Sequence, residues 1–187
     1  ILSHCNESEW NRFKSEHTNE AILDRVLKIE VPYVLELDQE QKIYEKIIKR
    51  SDFRGAHIAP HTLKIASMFS VMSRLKESKK CDLLTKLKIY NGEAIIEKGR
   101  VKKVDIKDLK DEARREGMKG ISTRFIMKSL DAALSDSDNN MITQVNIIDS
   151  LITQVKEQII DEDSAARYLE ILQKIIRDEY LKILETE

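Results

Sequence analysis

Two long series of apolar residues at helical spacing occupy residues 141–187 and leave few folds open for this part of the chain. The first series runs from Ile142 to Ile159, and the second runs from Leu169 to Ile183. Apolar residues three and four positions apart lie on one face of a helix. The stretch DEDSAAR between the two series supplies N-capping residues and first-turn acids. The sequence therefore predicts a helical hairpin over 141–187.

The composition of the whole chain also favours helix. The 187 residues include 5 Gly and 2 Pro, and only 5% are aromatic. Such a composition is poor in the residues that strands and tight turns use. Hydrophobic residues make up 41% and charged residues 35%, enough for a core with a well-solvated surface. We expect a mainly α protein with one domain or two small ones.

Charge and cysteine content narrow the function classes. The formal net charge of -1 gives no electrostatic reason to expect a nucleic acid or a membrane as partner. No apolar run approaches the roughly 20 residues of a membrane helix, and no signal peptide is visible. Cys5 and Cys81 lie far apart, which argues against a disulfide framework and favours a reducing compartment. We therefore expect a cytoplasmic protein.

Two strands are expected near the N-terminus, with short helices between them. ILSHC, residues 1–5, is typical of a strand end, and the β-branched run VLKIEVPYVL predicts a second strand. The helix EWNRFKSEH can be capped by Asn6 or Ser8, and TNEAILDR predicts one short helical turn. The chain starts without Met in an apolar stretch and ends inside a helical pattern, so we expect a fragment.

The pattern becomes helical from Asp38 onward. Asp38 and Gln41 have the spacing of a capping box, and Ile43, Ile47 and Ile48 form the expected buried stripe. A second strong helix is expected after Pro60, a residue that the first turn of a helix tolerates.

Two further turn signals follow in the middle of the chain. Asn91-Gly92 lies between alternating apolar residues and predicts a small β excursion within 87–104. The polar stretch SDSDNN predicts a linker ahead of the helical hairpin.

The stretch EGMKGISTRF places two glycines shortly before an arginine. Ser122 is a good N-cap, which puts Arg124 in the first turn of the next helix. The helix dipole disfavours a cation there unless an anion lies between the arginine and the helix end. Gly117 and Gly120 can take backbone angles that other residues avoid. The alternative is that Arg124 simply points into water.

Several well-known catalytic patterns are missing from the sequence. SDFRG resembles the Asp-Phe-Gly of ordinary protein kinases, but Arg54 interrupts it, and the other motifs of such kinases are missing. No Gly-x-x-x-x-Gly-Lys-Ser/Thr loop is found. His57 and His61 are four apart, but Pro60 between them breaks the helical geometry that a metal pair would need. We predict no metal site.

Three polar residues remain at junctions between predicted elements: Asn6, Arg25 and Arg124. Strand ends and helix starts are where α/β nucleotide sites place their polar groups. Each residue also has a simpler explanation. Asn6 can serve only as an N-cap, and Arg25 can form a surface ion pair with Asp24 or Glu20.

These blocks, in this order, resemble the bacterial PrkA-type serine protein kinases. The resemblance is carried by ILSHCNESEWNRFK, TNEAILDRVLKIEVPY, QKIYEKIIKRSD, HIAPHTL, FSVMSRLKE, KIYNGE and EGMKGISTRF. It covers residues 1 to about 134 and continues more weakly through ARYLEIL. The family is built on an AAA+ ATPase core, so the resemblance implies a remnant of that α/β core, a helical lid and a C-terminal helical hairpin.

The resemblance also implies roles for individual residues. Asn6 takes the place of the sensor-1 residue, Arg25 that of the arginine finger, and Arg124 that of the sensor-2 arginine. Gly120 would let the loop approach a bound nucleotide. The intact protein would bind ATP and Mg²⁺ and form a ring of identical subunits that acts on a protein substrate. Arg25 would then reach the nucleotide of a neighbouring subunit.

The same resemblance divides the chain into three segments. Residues 1–37 would end the AAA+ core, residues 38–135 would form the lid, and residues 141–187 would form the C-terminal hairpin. The Walker A and Walker B parts are absent from the chain, so we expect the fragment alone to be inactive. The alternative function is a helical interaction or oligomerisation module without nucleotide chemistry.

Overall fold

The chain is described by a computed structural model that covers residues 1–50, 55–97, 100–101, 104–137 and 140–186. It contains two compact units, Ile1–Val31 and Pro32–Glu187. Most of the described residues are helical, and the strands are only two residues long. The prediction of a mainly α protein is confirmed. Within the described ranges, no helix combines the length and the hydropathy that crossing a bilayer requires.

The first unit consists of short helices. It contains α1 (Glu7–Ser15), a 3₁₀ turn (His17–Asn19) and α2 (Glu20–Leu23). None of its residues is buried. Its main side-chain contact is the stacking of Trp10 on Phe13, with ring centroids 6.0 Å apart. This unit therefore has no core of its own.

The two strands predicted near the N-terminus are not formed in the described chain. Residues 1–6 and 26–36 belong to neither helix nor strand. A strand requires a neighbour that pairs with its backbone N–H and C=O groups, and the described residues provide none for these stretches. The β-branched composition predicted the local preference but could not supply the partner.

The second unit contains the remaining elements, which alternate helices with very short strands. In chain order they are α3 (Leu37–Ile48), β1 (His57–Ile58), α4 (Thr62–Arg74), α5 (Leu83–Tyr90), β2 (Ile96–Glu97), β3 (Arg100–Val101), α6 (Ile106–Glu112), α7 (Thr123–Ser135), β4 (Met141–Ile142), α8 (Gln144–Gln158), α9 (Glu162–Glu170), a π-helical segment (Ile171–Ile176) and α10 (Arg177–Thr186). β1 pairs with β4 in parallel, and β2 pairs with β3 in antiparallel orientation.

Helix α4 is the centre of the core. Every residue from Ile65 to Leu75 is buried, and the helix packs against α3, α5, α7, α8 and the π-helical segment. A helix that is covered on all sides must bury its polar residues too. The hydroxyls of Ser67 and Ser73 therefore donate to backbone carbonyls one turn back, at 2.7 and 2.6 Å.

Asn91-Gly92 ends a helix and does not form the predicted hairpin turn. Asn91 is the C-cap of α5, and Gly92 follows with φ +80°. The N–H of Glu93 donates to the carbonyl of Lys88 (2.9 Å) and that of Gly92 to Ile89 (3.0 Å), which is a Schellman motif. A glycine with positive φ suits both a helix end and a hairpin turn, so the sequence signal was the same for the two. A small hairpin does exist between β2 and β3, within the predicted range 87–104.

Helix α3 also differs in detail from the prediction. It begins at Leu37 with Glu36 as N-cap, so Asp38 lies inside the first turn and makes no capping box. Its most buried residues are Leu37, Glu40 and Tyr44, which share a face with Ile48. The expected isoleucine stripe is only half-buried.

The predicted C-terminal helical hairpin is present. Thr143 and Asn146 form a capping box at the start of α8, and Asp161 caps α9. The second arm continues from α9 through the π-helical segment into α10. Its inner side chains Ile171, Leu172 and Ile176 are buried.

An ion pair between Arg74 and Glu40 lies at the centre of the second unit. Arg74 Nη2 donates to Glu40 Oε1 (2.7 Å), and Nη1 donates to Oε2 (2.9 Å). The remaining donors of the guanidinium reach the carbonyls of Val34 and Ile121 at 2.9 to 3.1 Å. The side-chain exposures of Arg74 and Glu40 are 0% and 1%. Five N–H donors are thus satisfied inside the protein.

The carboxylate of Glu40 is held in its charged form. Burial by itself would raise its pKa, but hydrogen bonds from Arg74 and Tyr44 and the positive charge of Arg74 outweigh burial and lower the pKa. Burial raises the pKa of Tyr44, and the neighbouring carboxylate adds to this shift. The phenol therefore remains a hydrogen-bond donor to Glu40, at 2.6 Å.

A second buried pair joins α5 to the loop after α6. Lys86 Nζ contacts Glu116 Oε1 at 2.5 Å, with side-chain exposures of 1% and 4%. The Tyr90 hydroxyl donates to Glu116 Oε2 (2.7 Å), and Lys86 also donates to the carbonyl of Lys76 (2.9 Å). Among the described residues, no buried side-chain N or O atom lacks a partner.

The glycines of EGMKGISTRF are required by close packing. Gly120 has φ +127°, and a Cβ there would lie 2.7 Å from Arg74 Cγ and 2.9 Å from Arg74 Cα. Gly117 has φ +81°, and a Cβ there would lie 3.1 Å from Pro32 Cβ. Both positions let the loop lie directly against its neighbours.

We expect Gly120→Ala to destabilise the protein by more than about 2 kcal/mol, because it combines a disfavoured φ with a clash against the backbone of α4. Gly92→Ala is the matched control, since it has a positive φ but nothing within 4 Å of the new Cβ. It should cost only about 1 kcal/mol. Urea unfolding measures both. Equal losses would contradict the close packing at Gly120.

Glu40→Gln should destabilise the protein by about 3–5 kcal/mol at neutral pH, because it leaves the Arg74 charge buried without its counter-ion. The pKa of Glu40 is lower in the folded state, so its contribution is present above the unfolded pKa of about 4.3 and is lost as pH falls through the folded pKa. Below a pH of about 4.3, the urea midpoint of the variant should therefore depend less on pH than the wild-type midpoint does.

The exposed Glu157→Gln serves as the control for Glu40→Gln. It should leave both the stability at neutral pH and its pH dependence nearly unchanged. A Glu40→Gln variant that follows the wild-type pH profile would contradict the assignment of that profile to the buried pair.

Candidate functional site

Asn6 is the N-cap of α1. Its Oδ1 accepts from the Glu9 N–H (2.8 Å), while Glu9 Oε2 accepts from the Asn6 N–H (3.0 Å). This capping box matches one of the two capping residues expected from the sequence. Asn6 is exposed, and its Nδ2 donates to no acceptor in the described chain. The amide can therefore cap the helix and still offer two N–H groups to a ligand.

Arg25 directly follows α2. Its backbone N–H donates to the carbonyl of Ile22 (3.0 Å), and its side chain is exposed. Neither Asp24 nor Glu20 forms an ion pair with it among the described residues. The explanation of Arg25 as half of a surface ion pair is therefore not supported, and its guanidinium is available to another anion.

Arg124 lies in the first turn of α7, as predicted. Ser122 caps the helix, and its Oγ accepts from the Phe125 N–H (3.3 Å). Arg124 is exposed, and within the described ranges its guanidinium has no hydrogen-bond or ion-pair partner. Its cation lies beside the positive end of a helix dipole, so a bound anion would relieve the unfavourable interaction.

Gly120 has a structural role that the sequence did not reveal. Its backbone lies against Arg74 at the end of α4, and this packing accounts for the glycine without a ligand. Its role in approaching a nucleotide stays a prediction.

The candidate site residues divide between the two units. Asn6 and Arg25 belong to Ile1–Val31, whereas Gly120 and Arg124 belong to Pro32–Glu187. The structure describes each unit by itself, so the gathering of these residues around one nucleotide also stays a prediction.

The chemistry that these side chains can perform is limited. Guanidinium and amide groups donate hydrogen bonds, and arginine keeps its proton at any physiological pH. Such groups stabilise negative charge but cannot act as a general base or a nucleophile. The set therefore fits the binding of phosphate oxygens.

No metal cluster is found in the parts of the chain that the structure describes. His57 lies in β1, and His61 precedes α4 with φ 63°. The two residues thus do not lie on one face of a helix.

The chain matches two protein-family models, which together cover nearly all of its residues. Residues 1–82 match the family model described as PrkA AAA domain, and residues 84–187 match the one described as PrkA serine protein kinase C-terminal domain. The chain belongs to the PrkA family. Its AAA and C-terminal matches meet between Asp82 and Leu84, within the compact unit Pro32–Glu187.

Two curated relatives place the chain within longer members of the PrkA family. It is 37% identical over 190 residues to ATP-dependent protease PrkA of Bacillus subtilis, covering 100% of this chain and 30% of the relative. It is 36% identical over 189 residues to serine/threonine kinase YeaG of Escherichia coli K12, covering 100% and 29%. The chain thus spans about 30% of the length of these relatives. No solved structure matches it.

Sequence reasoning missed the buried charged residues of the Pro32–Glu187 unit. Glu40, Arg74, Lys86 and Glu116 form the two internal ion pairs described above. Each of the two pairs has one member in a helix at a position where an apolar residue is expected. Glu40 is three residues after Leu37 and four before Tyr44, so a charge within an apolar stripe was the available signal.

Proposed function

We propose that this chain is the C-terminal portion of an ATP-dependent serine protein kinase of the PrkA type, in which Asn6, Arg25 and Arg124 respond to ATP. The observation that carries the proposal is the contrast among the arginines. Arg74 is buried and fully paired, whereas Arg25 and Arg124 are exposed and have no described partner. The exposed guanidiniums of Arg25 and Arg124, in a chain with an AAA-domain match, are suited to phosphate.

Each residue has a separate role in the proposal. Asn6 orients the attacking water or holds the terminal phosphate through Nδ2. Arg124 binds the nucleotide of its own subunit, and Arg25 binds that of a neighbour in a homo-oligomeric ring. An arginine supplied by another subunit can raise the rate of phosphoryl transfer by roughly 10³–10⁵. Hydrolysis would thereby depend on assembly.

Binding of the nucleotide and its Mg²⁺ requires a phosphate-binding loop that this sequence does not contain. The sequence contains no Gly-x-x-x-x-Gly-Lys-Ser/Thr loop, so this chain by itself would not hold the triphosphate. Bound ATP would supply the phosphoanhydride that is cleaved, while the exposed donors of this chain stabilise charge on its phosphate oxygens. We assign no Mg²⁺ ligand to the chain.

The names of the two relatives are compatible with chemistry on ATP. One is called a serine/threonine kinase and the other an ATP-dependent protease, and both activities consume ATP. We propose kinase activity for the intact protein, in line with the description of the matched C-terminal domain. We also infer a cytoplasmic location, because Cys5 and Cys81 form no disulfide in the described chain and a reducing compartment keeps thiols reduced.

A helical interaction module remains the second candidate function. The C-terminal hairpin supplies long apolar stripes, but Ile147, Leu151 and Val155 of α8 are buried within the unit. The stripe on α8 is thus used for the core of the unit, although Leu181 and Leu184 of α10 are exposed. This packing favours the ATP-dependent function.

Arg124→Ala and Arg25→Ala in the intact protein should have different effects. Arg124→Ala should weaken ATP binding roughly tenfold or more, because it removes a charge-assisted contact. Arg25→Ala should leave ATP binding near the wild-type value and lower turnover by at least about 10³. Calorimetric nucleotide binding and steady-state phosphate release measure the two effects.

Matched controls are available for both arginines. Lys128→Ala removes an exposed cation from the same helix as Arg124, and Arg12→Ala removes one from the same unit as Arg25. Both controls should bind and turn over ATP normally. If Arg124→Ala and Arg25→Ala also behave like wild type, the roles proposed for them are wrong.

Asn6→Asp separates the cap from the proposed catalytic role. Aspartate is as good an N-cap as asparagine, so α1 should keep its protection in amide hydrogen exchange. The substitution removes the Nδ2 donors and places a negative charge near phosphate, and ATP turnover should fall at least about tenfold. Turnover at the wild-type rate with an intact helix would show that Asn6 is only a cap.

A further inference from the structure

A cleft of about 740 Å³ opens on the Pro32–Glu187 unit. The segment 32–36 forms part of its lining, and one face of α3 contributes Gln39, Lys42, Ile43 and Lys46. The end of α6 and the turn after it add further residues. The volume lies within the range of about 300–1,000 Å³ that is typical of ligand sites. Neither Gly120 nor Arg124 lines this cleft.

Four cations surround the cleft. Lys42 and Lys46 come from α3, and Lys110 and Arg114 come from α6 and the turn after it. All four are exposed, and within the described ranges none forms a hydrogen bond or an ion pair through its side chain. This distinguishes them from the buried Lys86, which is fully engaged.

The opposing negative charge in the cleft is small. Glu36 is the exposed acid in the lining. The other carboxylate, Glu116, is already neutralised by Lys86. The lining therefore carries a surplus of positive charge that a negatively charged partner can neutralise.

The cleft also has an apolar surface between these cations. Leu35 and Ile43 are half-buried, Pro32 is exposed and Ala113 is buried, and all four line the cleft. This surface gives the apolar side chains of a ligand a place to pack between the cations.

The spacing of the cations indicates the form of the partner. Lys42 and Lys46 are four residues apart on α3, and such neighbours on a helix lie about 5–6 Å apart. Lys110 lies in α6 and Arg114 in the turn after it, so these two cations do not share the helical spacing. A single small anion would engage one of the two groups, whereas a peptide with carboxylates one helical turn apart can pair with Lys42 and Lys46 and meet the other two cations while its apolar side chains cover the surface between them.

We propose that this cleft docks an acidic amphipathic segment of a partner protein. The apolar face of the segment packs on Leu35 and Ile43, and its carboxylates meet the four cations. A flat anionic membrane would reach the cations but would not fill a concave cleft. The proposal does not rest on ATP hydrolysis, because no residue assigned to the nucleotide lines the cleft.

The test uses the intact protein and a fluorescent helical peptide with leucines on one face and glutamates on the other. Fluorescence anisotropy should show saturable binding that weakens with added salt. The double variant K42E/K46E should bind roughly tenfold more weakly, because it reverses two contacts at the rim. The matched control K128E/K156E reverses two exposed lysines outside the cleft and should bind like wild type.

Two changes in the peptide test the charge contacts and the apolar packing separately, without altering the protein. Replacing its glutamates by lysines, or its leucines by serines, should abolish binding. The proposal is overturned if the peptide does not bind, if the lysine peptide binds equally well, or if K42E/K46E and its control weaken binding equally. It is also overturned if phosphatidylserine vesicles bind through Lys42 and Lys46 while the glutamate peptide does not.

Discussion

The buried ion pair of Arg74 and Glu40 is the interaction on which the architecture of the second unit depends. One guanidinium joins α3, the segment before it and the loop before α7 by five hydrogen bonds. A buried pair adds little net stability compared with an apolar pair, but a missing partner is costly. We infer that its main effect is to favour this one arrangement of the three pieces.

This pair also connects the structural core to the candidate site. Arg74 holds the carbonyl of Ile121, one residue before the N-cap of the helix that carries Arg124, and Gly120 fits directly against the Arg74 backbone. Contacts with Arg74 of α4 therefore hold the loop from which the Arg124 helix begins. Since Arg74 lies in the AAA match and Ile121 in the C-terminal match, these two parts share one core.

Two groups of charged residues in this chain have different consequences. Glu40, Arg74, Lys86 and Glu116 are buried and satisfied within the protein, so they fix structure. Arg25, Arg124 and the four cations around the cleft are exposed and have no partner among the described residues. These cations contribute little to the folded state, and the ligands that we propose for them would give them a function.

Local patterns in the sequence determined most of the helices and several of their ends, because periodicity and capping act over a few residues. Ser122 as an N-cap, the position of Arg124 and the C-terminal hairpin were all predictable in this way. Only the tertiary structure decided that residues 26–36 have no strand partner in the described chain and that Glu40 meets Arg74. Glu40 and Arg74 lie 34 residues apart, and a local pattern contains no information about which distant group will be the neighbour.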